Sequence, residues 1–344
     1  MTPSSPLRIA VIGAGAFGRN HIRIYSDLAQ SGAVELAAVV DSASASDYQK
    51  LATDHRARFF SSVDNLLAAV LQRDIAIDAA SVCVPTLFHA TVAAQLLNAD
   101  IHVLVEKPFT PTLAEADNLI ALATARDLVL QVGHLERFNP AVTALLPHLY
   151  HPMFFECHRL SIFTPRSLDI DVVLDLMIHD LDIVLQMAQS PVREIRAVGL
   201  AVLSRHTDIA NVRIEFDSGC VANFTASRVS TERVRKLRLF QPHQYISVDY
   251  ARQDALIINV SGAAEIPVGA SNAAAGNVPE LNFTRLDIIP GEPLRLEIEA
   301  FLDSIRTGRP SVVPAPQSRA ALALALAVNA TIAEHRQRAG LTPG

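Results

Sequence analysis

The sequence has little of what marks secreted, nucleic-acid-binding or membrane-spanning proteins. Its three cysteines, Cys83, Cys157 and Cys220, are odd in number and widely spaced in apolar sequence, which disfavours a disulfide framework and predicts reduced, buried thiols. A net charge of -6 leaves no basic surplus for binding a phosphate backbone. The apolar run Ala320–Val328 is far shorter than the ~20 residues that a membrane-spanning helix needs.

No secretion signal is expected either, because the start MTPSSPLR leads straight into a strand-like run without a basic segment and a cleavage site. What the chain does have is length: 344 residues, half of them hydrophobic, are enough for roughly two domains of about 150 residues each. We therefore expect a soluble cytoplasmic protein that folds unaided and binds neither nucleic acid nor a membrane.

The first motif is a strand, a glycine turn and a helix. The apolar run Leu7–Ile12 passes into GAGAFG, and a helical pattern follows. In the spacing G-x-G-x-x-G, one glycine makes the tight turn, the next lets the backbone approach a pyrophosphate, and the third lets helix and strand pack closely. The motif predicts a dinucleotide site with contacts from Gly13, Gly15, Ala16, Phe17 and Gly18.

An acidic residue supports this interpretation. Asp41 ends a second buried strand and lies 23 residues after Gly18, close to the spacing of about 20 expected for a carboxylate that binds a ribose. Such a carboxylate accepts hydrogen bonds from the ribose hydroxyls and repels a 2′-phosphate, so the sequence favours NAD over NADP. The alternative is a turn-forming aspartate at the end of a strand.

Helix and strand patterns alternate up to Gly133, which predicts βαβ units and a mostly parallel sheet in a first domain over residues 1–133. Thr112 and Glu115 have the spacing of a capping box at the start of one of these helices. Ligands of such sheets bind at the carboxyl ends of the strands, and four further residues with expected cofactor contacts fall there: Pro85, His89, Glu106 and Lys107. An ammonium group at Lys107 could stabilise the alkoxide character of a substrate oxygen as hydride leaves. The alternative is a surface pair with Glu106.

The segment Asp171–Gln186 predicts a helix with chemically capable side chains on one face. Asp175 and His179 are four residues apart and Asp182 follows at seven, so all three project from the same side of an α-helix. A neighbouring apolar stripe would hold this face at the edge of a core. The alternative is a helix with satisfied polar residues at its rim.

Strand patterns without intervening helices follow from Phe154, and they predict an antiparallel sheet with a hairpin turn at Asp217-Ser218-Gly219. One face should cover the helix 171–186, and the other could meet a second subunit. Residues 263–277 are expected to form a long loop, and two C-terminal helices are assigned to packing and could pack back on the first domain. Seven basic residues could either bind the phosphates of a substrate or lie on a solvated strand face: Arg159, Arg166, Arg228, Arg233, Arg235, Lys236 and Arg238.

These motifs resemble, in order, those of the glucose–fructose oxidoreductase, inositol dehydrogenase and rhizopine-catabolism (Gfo/Idh/MocA) family of NAD(P)-dependent oxidoreductases. The matching segments, which span roughly residues 7 to 187, are VIGAGAFGRNH, VPTLFHATVA, VEKPF, VGHLERFNPAV and LDLMIHDLDIV. The resemblance implies a Rossmann domain followed by an α/β domain over residues 134–344 with a large, open, mostly antiparallel sheet. It also implies a homodimer or homotetramer.

The resemblance further implies a catalytic set of Lys107, Asp175 and His179, in which His179 is the general base, Lys107 polarises the reacting oxygen and Asp175 orients or shares the proton. Substrate contacts are expected from Arg137, Asn139, Arg166 and His179. The combination of GHLERFNPAV with DVVLDLMIHD is most similar to the branch with UDP-N-acetylglucosamine 3-dehydrogenases, which make a 3-keto sugar nucleotide for amination toward lipid A. The approach RSLDID departs from the glycine-rich approach of many relatives.

Three alternatives stay open at this point. One is a dehydrogenase for an inositol, a free sugar or another UDP-sugar. Another is a regulator that binds NAD without chemistry, although the presence of lysine, aspartate and histidine together argues against it. A metal site that combines Asp175 and His179 with His134 or His158 lacks the usual ligand spacing, so no metal is expected.

Overall fold

The computed structural model describes residues 5–43, 46–164, 170–261 and 280–341. The chain divides into two compact units, and each is built from two chain segments. The first unit comprises residues 1–135 and 294–323, and the second comprises residues 136–293 and 324–344. The chain changes unit after residue 135, next to the expected division at residue 133, and segment 294–323 groups with the first unit. Among the described helices, none is long and apolar enough to cross a membrane.

The first unit contains a six-stranded, all-parallel sheet in the order β3-β2-β1-β4-β5-β6, which confirms the doubly wound fold. Its strands are β1 (Leu7–Ile12), β2 (Val34–Val40), β3 (Arg58–Phe60), β4 (Ala79–Val82), β5 (His102–Glu106) and β6 (Leu130–Gly133). Its helices are α1 (Gly18–Gln30), α2 (Ser46–Asp54), α3 (Val63–Leu71), α4 (His89–Asn98), α5 (Leu113–Ala125) and, from the C-terminal part of the chain, α8 (Pro293–Thr307).

The second unit contains an eight-stranded sheet in the order β14-β13-β12-β11-β7-β10-β9-β8, antiparallel except for the β7–β10 pair. Its strands are β7 (Phe154–Ile162), β8 (Val192–Leu200), β9 (Ile209–Phe216), β10 (Val221–Ser230), β11 (Val234–Gln241), β12 (Gln244–Asp249), β13 (Asp254–Ser261) and β14 (Glu280–Arg285). Two helices are α6 (Pro140–Leu145) and α7 (Ile178–Ala188). A last helix, α9 (Ala315–Arg338), begins in the first unit and ends in the second. The large, mostly antiparallel sheet is confirmed.

Local sequence signals formed the expected structures. Thr112 and Glu115 make a reciprocal capping box at the start of α5, with the Thr112 hydroxyl accepting from the Glu115 N–H at 3.3 Å and the Glu115 carboxylate accepting from the Thr112 N–H at 3.0 Å. Gly219 closes the β9–β10 hairpin with a φ of 85°, a left-handed conformation that glycine adopts without steric cost. The three cysteines are free thiols. The expected loop 263–277 lies outside the described residues.

The predicted helix 171–186 differs from the structure at both ends. A π-helical turn spans Val173–Met177, and the α-helix α7 follows it from Ile178 to Ala188. Asp171 caps the turn, because its Oδ1 accepts from the backbone N–H groups of Val173 and Leu174 at 2.9 and 3.0 Å. The π turn adds backbone between the cap and α7, so it sets which way the side chains of α7 face.

Candidate active site

A cleft of about 650 Å³ opens at the carboxyl ends of β1, β2 and β4 in the first unit. This edge of a doubly wound sheet, where the strand order reverses between β1 and β4, is where such folds bind their ligands. Of the residues with predicted cofactor contacts, the cleft is lined by Gly13, Gly15, Asp41 and Pro85. Five polar residues that the sequence motifs did not indicate also line it: Ser42, Ser62, Asp64, Thr91 and Gln95.

The three motif glycines meet different surroundings, as the spacing predicted. A Cβ atom on Gly13 would lie 2.7 Å from the carbonyl oxygen of Cys83, and one on Gly18 would lie 1.9 Å from the carbonyl oxygen of Gly13. A Cβ atom on Gly15 would have no atom of the described chain within 4 Å. Close packing therefore requires glycine at 13 and 18, whereas the room at Gly15 fits the approach of a ligand such as a pyrophosphate.

Asp41 lies directly after β2 and connects two backbone segments. Its Oδ2 accepts from the N–H of Ala14 in the glycine turn at 2.7 Å, and its Oδ1 accepts from the N–H of Ala43 at 2.9 Å. The carboxylate thus has the turn-forming role of the alternative interpretation, and at the same time it lines the cleft. Both roles use different lone pairs of the same carboxylate, because each oxygen can accept more than one hydrogen bond.

His89 was expected to contact the cofactor, and the structure buries its ring between backbone carbonyls instead. Nδ1 lies 3.0 Å from the carbonyl oxygen of Pro108, and Nε2 lies 2.9 Å from that of Val84. Burial lowers the pKa of His89, so the ring is neutral near pH 7 and donates from one nitrogen at a time. His89 thereby connects the segments after β4 and β5, and its expected contact with the cofactor stays a prediction.

Glu106 was also expected to contact the cofactor. Its carboxylate is buried, with Oε1 3.0 Å from Nε2 of His21 on α1, and it occupies the space that a side chain at Gly133 would need. Oε2 accepts weakly from the backbone N–H of Lys107 at 3.3 Å. Glu106 therefore packs beneath the strand ends and fixes the backbone from which Lys107 projects. Lys107 is half-buried and precedes a cis peptide bond to Pro108.

Asp175 and His179 belong to the second unit. Asp175 lies in the π-helical turn and is half-buried, whereas His179 lies in the first turn of α7 and is 9% exposed. One helical turn separates them, which keeps both side chains on the same side of the element. An imidazole with a small exposed fraction, one turn from a carboxylate, is an arrangement suited to general base chemistry.

Asp182, the third acid of the predicted face, has a different role. Both of its oxygens accept from Arg137, at 2.7 and 2.6 Å, and the two side chains are 1% and 3% exposed. This ion pair makes Arg137 a support for α7, and its expected contact with substrate stays a prediction. Of the polar residues at the expected rim of the helix, Asp182 is thus buried and paired, whereas Asp175 is half-buried.

Two more buried pairs complete the anchorage of α7. Arg159 donates to both oxygens of Asp180 at 2.9 and 2.8 Å and to Glu136 at 2.9 Å. Asn139 donates to Glu136 and to the carbonyl oxygen of Tyr250, both at 3.1 Å, and it is buried. Asn139 therefore has a structural role, and its expected substrate contact stays a prediction. Arg166, the remaining predicted contact, lies outside the described residues.

Comparison with family models gives two adjoining matches. Residues 7–134 match the model described as "Oxidoreductase family, NAD-binding Rossmann fold", and residues 149–243 match the "GFO/IDH/MocA C-terminal domain". Together the two models span most of the chain and the segments on which the resemblance was based, except that residues 135–142 of VGHLERFNPAV lie between them.

Known proteins give a more specific likeness. The chain is 38% identical over 333 residues to UDP-N-acetylglucosamine 3-dehydrogenase of Acidithiobacillus ferrooxidans, which covers 96% of this chain and 99% of the relative. A solved structure of that dehydrogenase superposes with a TM-score of 0.83 at 36% identity, over 95% of this chain and 97% of the other. Inositol 2-dehydrogenase of Leifsonia xyli is 30% identical over 202 residues, 57% of each chain.

Proposed function

We propose that this chain, which belongs to the GFO/IDH/MocA family of NAD-binding oxidoreductases, oxidises the 3-hydroxyl of UDP-N-acetylglucosamine to the 3-keto sugar nucleotide. It is a dehydrogenase acting on a CH–OH group. The observation that carries the proposal is the 38% identity to a dehydrogenase of that specificity over nearly the whole length of both chains. The alignment with this relative covers 96% of this chain and includes the segments that hold Lys107, Asp175 and His179.

In the proposed reaction the protein contributes a base and a cation. His179 takes the proton of the 3-hydroxyl as general base, while the ammonium group of Lys107 donates to the same oxygen and stabilises its developing negative charge. Asp175 orients the imidazole of His179. Bound NAD supplies the hydride acceptor. The product carries a ketone at C3, so the next reaction class is amination, as in amino-sugar and lipid A biosynthesis.

The direct test mixes the purified protein with NAD and UDP-N-acetylglucosamine and follows the absorbance of NADH. An aminotransferase with its amino donor is included in a second arm, since removal of the ketone pulls an unfavourable oxidation forward. NADH formation that depends on the sugar nucleotide supports the proposal. An absence of NADH in both arms rejects this substrate.

A second candidate substrate class is a free polyol such as an inositol, which the partial identity to inositol 2-dehydrogenase favours. Oxidation of inositol at a higher kcat/KM than UDP-N-acetylglucosamine in the same assay would select that class. A regulator without chemistry would reduce no NAD with either compound, yet it would still bind the dinucleotide.

We propose NAD rather than NADP as the preferred cofactor. The cleft that holds the glycine turn is lined by two carboxylates, Asp41 and Asp64, and none of its lining residues within the described chain is lysine or arginine. A 2′-phosphate would bring negative charge toward these acids without a cation to offset it.

Replacing Asp41 with asparagine is expected to lower the ratio of kcat/KM for NAD to kcat/KM for NADP by about tenfold or more, because asparagine keeps a hydrogen-bond acceptor for the Ala14 N–H while removing the charge. Steady-state kinetics with each cofactor give the ratio. Asp47→Asn on α2, exposed and outside the cleft lining, is the matched control. An unchanged ratio for Asp41→Asn would remove Asp41 as the specificity residue.

The glycine turn gives a second prediction. The free energy of unfolding of Gly15→Ala should lie within about 0.5 kcal/mol of that of the original protein, because the added Cβ meets open space. The same variant should bind NAD about tenfold more weakly or worse, because the methyl group lies where the pyrophosphate approaches. Gly18→Ala should be destabilised by ~1–3 kcal/mol or more, because its Cβ would lie 1.9 Å from a backbone oxygen. Urea unfolding and calorimetric titration with NAD measure both quantities. Equal stability losses in the two variants would contradict the assigned roles.

We also propose that the protein forms a homo-oligomer through the face of the large sheet opposite α7. Five side chains lie directly opposite one another across β7, β11, β12, β13 and β14: Phe154, Phe240, Tyr245, Ile258 and Phe283. Phe240 and Phe283 are 36% and 64% exposed, and such a row of apolar groups is typical of a subunit contact. Sedimentation at the mass of a single chain, 37.2 kDa, over a wide concentration range would reject the proposal.

A further inference from the structure

Strand β11 carries a basic side chain that the proposed reaction does not use. Successive side chains of a strand point to opposite faces of the sheet, so Arg235 shares a face with Leu237 and Leu239, while Lys236 and Arg238 lie on the other. Leu237 and Leu239 are fully buried in the core that also contains the apolar side chains of α7. Arg235 therefore lies on the face of the sheet that carries α7.

Arg235 also lies next to the ion pairs that hold α7. It is directly opposite Arg159 in the antiparallel register of β11 and β7. Arg159 in turn binds both carboxylate oxygens of Asp180, and Asp180 directly follows His179 in α7. A single buried ion pair thus separates Arg235 from the helical turn that holds the proposed general base.

The guanidinium group of Arg235 has neither a hydrogen-bond partner nor an ion-pair partner among the residues that the structure describes, and the residue is exposed. The other arginines in the strands of this sheet each have a carboxylate, amide or carbonyl partner: Arg159, Arg193, Arg196, Arg213, Arg228, Arg238 and Arg285. Arg235 therefore presents an accessible cation without a direct hydrogen-bond or ion-pair partner in the described chain, and the carboxylates of Glu136 and Asp180 act on it only at longer range.

The charges around Arg235 favour an anion. Desolvation and the neighbouring Arg159 guanidinium lower the pKa of Arg235, and Arg233 adds a further positive charge to this end of the strand. The carboxylates of Glu136 and Asp180 offset part of this effect, but both already bind Arg159. The exposed side chain of Arg233 likewise has no ion-pair partner in the described ranges. A bound anion would reduce the repulsion among these cations, and guanidinium groups bind phosphate oxygens through two parallel hydrogen bonds.

We propose that Arg235, with Arg233 beside it, binds the diphosphate of the sugar nucleotide. This inference rests on the proposed function, since it assigns a site for the non-reacting end of that substrate. The diphosphate contact holds the molecule on the α7 face of the sheet, and the attached sugar then extends toward His179. Lys236 and Arg238, on the opposite face, take no part in it.

The first experiment measures UDP binding alone, by calorimetric titration without sugar or NAD. Arg235→Gln is expected to weaken UDP binding about 10- to 100-fold, the usual range for the loss of a hydrogen bond between charged groups. Lys236→Gln, on the same strand but the other face, should change it by less than about twofold. Arg235→Lys should fall between, because it keeps the charge and loses the paired geometry. Circular dichroism and melting temperature check that each variant is folded.

The second experiment measures turnover. Arg235→Gln should raise KM for UDP-N-acetylglucosamine with little change in kcat, the pattern of a lost contact that is equally strong in ground state and transition state. Failure of the original protein to bind UDP, or equal UDP affinity in the original protein and Arg235→Gln, would overturn the diphosphate site. UDP binding that depends on Arg235 in a protein that makes no NADH from UDP-N-acetylglucosamine would uphold the site and reject the proposed reaction.

Discussion

Replacing His179 with alanine is expected to lower kcat for the sugar nucleotide about 10²- to 10⁴-fold, the usual contribution of a positioned general base. Without the imidazole, water must accept the hydroxyl proton as hydride leaves, whereas Lys107 and the cofactor cleft are unchanged. NAD binding should therefore stay within about twofold of the original protein, since the glycine turn and Asp41 belong to the other unit. Stopped-time NADH assays give kcat, and calorimetry gives the affinity for NAD.

The matched control is His158→Ala. His158 is half-buried on β7, opposite Lys236 of β11 and Thr225 of β10, on the face of the sheet away from α7, so its loss should leave kcat within about twofold. Added imidazole should restore part of the activity of His179→Ala by entering the space of the missing ring and accepting the proton. A variant that keeps more than about a tenth of kcat would show that His179 is not the base.

Replacing Arg137 with methionine is expected to lower the free energy of unfolding by ~3–5 kcal/mol, because it leaves the Asp182 carboxylate, 1% exposed, without its partner. The double variant Arg137→Met with Asp182→Leu should recover most of this loss, since two apolar side chains can replace a buried ion pair at little cost. Urea unfolding of the single and double variants measures both effects.

An exposed pair supplies the comparison. Arg196 donates to Glu194 at 2.8 Å on β8, where the side chains are 76% and 48% exposed. Arg196→Met should cost no more than ~1 kcal/mol, because water screens such a pair. If Arg137→Met cost as little as Arg196→Met, Asp182 would have to be hydrated or protonated in the folded protein rather than held as a buried carboxylate.

Several elements were predictable because their signals are local. The glycine turn, the capping box at Thr112 and the hairpin at Gly219 each depend on residues within a few positions of one another, and each formed as expected. The alternation of strands and helices also identified the parallel sheet, since each strand is a short apolar run between turn signals. Local steric and hydrogen-bonding rules therefore determine most of the first unit.

The roles of polar residues near α7 were not predictable, because their partners are distant in sequence. Arg137 and Asp182 are 45 residues apart, and Arg159 and Asp180 are 21 apart. A helical pattern predicts that Asp182 lies on the same side of the helix as His179, but it does not indicate which cationic side chain pairs with the Asp182 carboxylate. The resemblance did identify the segment GHLERFNPAV, yet it could not tell a substrate contact from a buried support.

Two kinds of backbone feature were missed for other reasons. All six residues of β14 are exposed, so its sequence shows no apolar alternation, and β8 alternates only weakly between exposed and half-buried positions. The π-helical turn Val173–Met177 is composed of ordinary helix-forming residues, and the extra residue in its turn leaves no mark in composition. Such features are fixed by pairing and packing once the rest of the unit is in place.

The return of helix α8 to the first unit has a consequence for how the protein is made. Four of its side chains belong to the same apolar core as β1 and β2: Leu294, Ile298, Phe301 and Leu302. Domains often fold in order as they leave the ribosome, but the first half of this chain has to wait for residues that are translated near the end. Until then the nascent chain exposes the apolar surface that α8 covers, so chaperone binding is expected to concentrate on the N-terminal half during synthesis, and a fragment that stops at residue 135 would keep that exposed surface permanently.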